Sequence, residues 1–154
     1  MIDRVLNGIT KGSFYLGGLA FALIIVGYVM EVVLRYFFNA PTSFTSDFTQ
    51  WFFAAMVMLC IPEVTRIKGH VIISFFLEKM SAGHRSMVER TLSLAGFLIC
   101  MTAAWICFSE TMRQYNTGIQ TEWNFPIPKW WISAVIPYGI GLAGLHFFRI
   151  ALKR

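Results

Sequence analysis

Glu31 and Arg35 stand four residues apart and Glu63 and Arg66 three apart, spacings that put an acid and a base on one face of a helix. Such groups could carry a proton or a sodium ion if they sat at the centre of a bilayer. There an ionisable side chain costs about 2.5–3.5 kcal/mol on insertion scales and is by default a functional candidate. Neither pair is central. Each closes an apolar run with no polar cluster beside it, so their chemistry reduces to interfacial ion pairs that fix helix depth and rotation. His70, His84 and His146 raise haem or metal ligation, since imidazole is a common axial ligand. All three fall at the edges of apolar runs, whereas a bis-His haem needs ligands facing each other on helices, so ordinary interfacial histidines are expected. Cys60, Cys100 and Cys107 lie inside apolar runs without a CxxC spacing and read as small core hydrophobes. No zinc spacing, nucleophile elbow or phosphate loop occurs. The residues imply no enzyme, and no cofactor or metal in this chain.

What must position these residues follows from composition. Of 154 residues 56% are hydrophobic and 14% charged, against about 25% charged in a soluble domain, so the chain reads as an all-α integral membrane protein. A crossing needs roughly 20 apolar residues. Four segments qualify, at residues 13–34, 48–64, 92–108 and 130–148. They must be helices, because irregular backbone facing lipid leaves polar groups unpaired. Polar but helix-compatible flanks make the third helix protrude or tilt. With no repeat or linker, residues 1–154 form a single four-helix domain, and the N-terminal segment is an uncleaved first helix, not a signal peptide.

Orientation follows from Lys and Arg, which accumulate in short cytoplasmic segments. Ten of the 13 lie at the N-terminus, in the second loop or at the C-terminus; the others are Arg35, Arg113 and Lys129. Both termini are therefore expected in the cytoplasm, and a bacterial inner membrane is the expected address. Within the second loop, residues 70–83 are apolar but too short to cross. A short interfacial helix between spans two and three suits them, with packing against a partner subunit as the alternative.

The turn at residues 35–48, RYFFNAPTSFTSDF, then faces the opposite side. Asn39 and Pro41 suit a turn, Thr45 or Ser46 can cap the second helix, and Asp47 falls in its first turn, where the dipole favours an acid. Phe37, Phe38 and Phe44 add a possible docking surface.

RYFFNAP closing the first span, an acid opening the second, and RIKGHVIISF after it together resemble the small membrane subunit of tripartite ATP-independent periplasmic (TRAP) transporters. Arg35, Phe38, Asn39 and Pro41 carry the likeness, with Arg66, Lys68, Gly69, His70 and Val71, then Ile127 with Pro128 and Ile136 with Pro137. Phe44 and Asp47 stand where that family often has Trp and Glu, each keeping the chemical type. The resemblance implies a sodium-coupled importer of a carboxylate solute of the dicarboxylate or sialic acid class. Its partners would be a large multi-span transport subunit, which holds the sodium ions, and a periplasmic substrate-binding protein. This chain would scaffold the large subunit and help dock the binding protein, with Glu31, Arg35, Asn39, Pro41, Asp47, Glu63, Arg66 and His70 as structural or subunit-interaction residues. Two other classes remain open on the residues alone. The histidines suggest a membrane anchor of an electron-transfer complex, and Glu31 with Glu63 a small proton-coupled exporter.

Overall fold

The computed structural model describes residues 2–40, 44–67, 82–122 and 126–152. They form five helices: α1 (Ile2–Phe38), α2 (Phe44–Arg66), α3 (Ala82–Thr117), the single-turn α4 (Lys129–Ser133) and α5 (Val135–Leu152). Four spans are long and apolar enough to cross a membrane, α4 and α5 together making the fourth. The expected all-α, four-span architecture is what the chain adopts. Residues 70–83, expected to lie in the interface, fall almost wholly outside the described part. Two helices outrun their apolar runs: α1 has 37 residues and α3 has 36, about 55 Å and 54 Å at 1.5 Å per residue. The hydrocarbon layer is about 30 Å, so both must tilt or protrude. Trp105 lies well inside α3 and is 70% exposed.

The interior is inverted relative to a soluble domain. Its buried apolar residues are Ala20, Ala104, Leu142, Ala143 and Ala151, while the buried polar ones include Thr10, Ser13, Glu31, Thr65, Gln114 and His146. Large apolar side chains such as Phe21, Val26, Leu98, Ile99 and Ile106 point outward. Where lipid is the solvent, apolar side chains gain nothing by hiding from it, and helices associate through close backbone approach and hydrogen bonds.

In space the spans stand in the order α1, α2, α5, α3, each packed on the next. A glycine or alanine marks every contact. A Cβ on Gly17 would come within 2.7 Å of Cys60 Sγ on α2, and one on Gly144 within 3.2 Å of Cys100 Cβ on α3; Gly141 faces Ala104. At the centre, a Cβ on Gly139 of α5 would collide with the Met58 carbonyl of α2. That carbonyl is four residues before Pro62, which lies inside α2 and has no N–H to give it. The proline frees an acceptor, and the glycine lets the neighbouring backbone lie against it. By contrast Gly8, Gly12 and Gly18 have nothing within 4 Å of a built Cβ and face outward.

Non-helical joints are held by backbone bonds. Asn39 takes a left-handed φ of 51°, a conformation Asn tolerates better than most residues, and Ala40 N–H then donates to the Leu34 carbonyl at 3.1 Å. After α3, Gly118 has φ 63°. Thr121 N–H donates to Ile127 O and Lys129 N–H to Ile119 O, at 3.0 and 3.1 Å, closing a small clip that includes Pro128.

Candidate functional site

Polar side chains concentrate at two ends of the helix row. At one end the start of α1 meets the last turns of α5. Thr10 and His146 are 0% and 1% exposed, and Thr10 Oγ1 lies 2.7 Å from His146 Nε2. The threonine hydroxyl donates to the Leu6 carbonyl at 2.9 Å. It has one hydrogen, so His146 is the donor to it and carries a proton on Nε2. Ser13 Oγ and Tyr138 Oη are 2.7 Å apart. Arg149 Nη1 donates to Asn7 Oδ1 at 2.7 Å while its Nε lies 2.7 Å from Asp3 Oδ1. Asp3, Asn7, Thr10 and Ser13 thus form a ladder along one face of α1, read by Arg149, His146 and Tyr138 of α5. Beside it, Arg66 clasps Glu63 through two nitrogens, Nε at 2.7 Å and Nη2 at 2.5 Å. Thr65, 1% exposed, donates to the Ile61 carbonyl at 3.0 Å.

At the other end Glu31, 7% exposed, accepts from Arg35 Nη2 at 3.0 Å and from Thr45 Oγ1 at 3.3 Å. α2 starts at Phe44, so Thr45, expected with Ser46 as a cap, stands in its first turn and its hydroxyl also reaches Glu31 of α1. Across the row, Arg113 grips both oxygens of Glu110 at 2.8 and 2.7 Å. Gln114 donates to Glu110 at 3.1 Å and accepts from Ser133 at 2.7 Å, tying α4 to α3. Tyr115 meets Trp130 edge-on, ring centres 5.4 Å apart.

The eight residues singled out from sequence are therefore scattered. Glu31 with Arg35 and Glu63 with Arg66 pair as their spacing requires, at opposite ends. Asn39 sets the exit of α1, and Asp47 lies in the first turn of α2. Pro41 and His70 lie outside the described residues. Sequence reasoning missed the ladder. Its signal was present in the spacing Asp3, Asn7, Thr10, Ser13, a helical stripe of polar residues entering the first span, facing Tyr138, His146 and Arg149 in the last. Among the described residues no three His, Cys, Asp or Glu side chains come together as a metal-holding group. What the arrangement offers chemically is hydrogen bonding and charge pairing between helices.

A family model described as tripartite ATP-independent periplasmic transporters, DctQ component, matches residues 24–154. The match begins partway along α1, beyond the polar ladder. No curated protein matches the chain.

Proposed function

This chain belongs to the DctQ component family of tripartite ATP-independent periplasmic transporters, inner-membrane transporter subunits and not enzymes, and from that premise we propose that it is the static scaffold of a sodium-coupled carboxylate importer. The observation that carries the proposal is the family match over residues 24–154. The electron-transfer anchor and the exporter give way to it. In this reading the solute is of the dicarboxylate or sialic acid class, and sodium binds the large transport subunit. The small subunit packs beside the large one, widens its membrane footprint and presents part of the surface on which the periplasmic substrate-binding protein docks. Ionisable side chains gathered at the ends of the helix row suit a chain that conducts nothing. So do the apolar side chains that α1 and α3 turn outward. Glu31, Arg35, Asn39, Pro41 and Asp47 belong to the periplasmic side, and Glu63, Arg66 and His70 to the cytoplasmic side, with both termini cytoplasmic.

The test is reconstitution. The tagged chain is purified in mild detergent with its co-expressed large subunit, and uptake of labelled succinate and N-acetylneuraminate is measured in liposomes with the binding protein and an inward sodium gradient. Near-equal recovery of both subunits, with uptake that requires this chain, is the expected result. Uptake by this chain alone, or full uptake by the large subunit without it, overturns the scaffold reading.

A further inference from the structure

An apolar groove of about 460 Å³ runs between α3 and α5, with Met101, Ala104, Trp105 and Phe108 on one side and Ala134 and Pro137 on the other. Its α3 wall extends from Met101 to Thr111, about 15 Å at 1.5 Å per residue. That is half of a hydrocarbon layer about 30 Å thick, the depth of a single leaflet. A partner helix crossing the membrane would call for a groove through both leaflets. An acyl chain needs only one.

At its Thr111 end the groove is bounded by Ala134, immediately after α4, and α4 begins with Lys129. Arg113, on the same end of α3, is occupied by Glu110. Among the described residues no carboxylate lies within salt-bridge distance of Lys129; its charge reaches Glu110 only through space, and Glu110 is already gripped by Arg113. Trp130 and Trp131 follow it, Trp131 being 58% exposed, and indoles settle at headgroup level. An apolar slot one leaflet deep therefore ends near an ammonium that makes no contact ion pair and two interfacial rings. Its charge complements a phosphate.

We propose that the groove between α3 and α5 is the seat of one resident phospholipid, its acyl chain lying along Met101, Trp105 and Phe108 and its phosphate held by Lys129. The inference rests on the membrane fold and not on the scaffold role or the solute.

The experiment reconstitutes the complex in vesicles of equal phosphatidylglycerol and phosphatidylcholine, re-extracts it in mild detergent and weighs it intact by native mass spectrometry. The wild type is expected to keep one phospholipid, enriched in phosphatidylglycerol. Ala134→Phe, which puts a bulky ring on a lining position of the groove, should shed it. Lys129→Gln, an exposed change that leaves the packing alone, should lower retention of the anionic lipid about fivefold, one cation's contribution near a membrane surface. A wild type that keeps no lipid, or retention unchanged in Lys129→Gln, overturns the proposal. So does an Ala134→Phe complex that loses the large subunit while keeping its lipid, because a protein helix would then fill the groove.

Discussion

A single hydrogen decides how His146 behaves. Because Thr10 gives its proton to Leu6, the imidazole must donate, and replacing Thr10 removes the acceptor of a fully buried N–H. Thr10→Val is expected to cost about 1–2 kcal/mol, the range for stranding a buried polar group, while Thr10→Ser keeps the wild-type value. Adding His146→Leu to Thr10→Val removes both partners and should recover much of the loss; thermal unfolding in detergent of the wild type, Thr10→Val, His146→Leu and the double variant reads the coupling directly. Asn39 makes a second case. Its φ of 51° suits glycine as well, so Asn39→Gly should be near neutral. Asn39→Val should cost about 1–2 kcal/mol, the strain of a left-handed residue with a branched Cβ. At this scale the sequence was legible where partners are local: Glu31 with Arg35 and Glu63 with Arg66 follow from spacing alone. Thr10, Ser13 and Asn7 were not singled out, because their partners lie more than a hundred positions away and a polar residue near a chain end looks like any solvated one.

Elements explain themselves less completely. Four apolar runs announced four helices, but α1 and α3 continue past those runs, since polar residues with good helix propensity extend a helix as readily as apolar ones. The small residues Gly17, Gly18, Ala20, Gly139, Gly141 and Gly144 suggest close helix contacts in the sequence without saying with what, since internal and intersubunit packing share that signature, and Gly18 turns out to face open space. Pro62 and Gly139 show what was hidden. Gly139→Ala pushes a Cβ into the Met58 carbonyl and should cost about 2–3 kcal/mol as α5 is forced off α2, a typical overpacking penalty. Gly18→Ala, with open space around it, should be neutral or stabilising by up to about 1 kcal/mol on helix propensity. Unfolding of the two variants side by side distinguishes a glycine needed for contact from one that is not.

For the molecule as a whole, the distribution of basic residues puts both termini on one side, and the row agrees internally: Asp3 and Arg149 meet at one end, Glu31 and Thr45 at the other. Replacing exposed residues by cysteine in intact cells tests the sidedness. Lys129→Cys should react with a membrane-impermeant maleimide and Arg4→Cys should not until the cells are opened; the reverse pattern inverts the topology. Spatial order was beyond sequence, because four amphiphilic helices of similar composition pack in several sequences of neighbours. The order that occurs also bears on synthesis. The first two spans touch and can pair as soon as both have left the ribosome, whereas α3 packs on α4 and α5, which are made after it. Until the final span emerges, the third stands in the bilayer with its docking partners still untranslated, so a chain halted before residue 129 would be a hairpin whose polar ladder lacks its α5 partners, trailing an orphan helix, a natural substrate for membrane quality control.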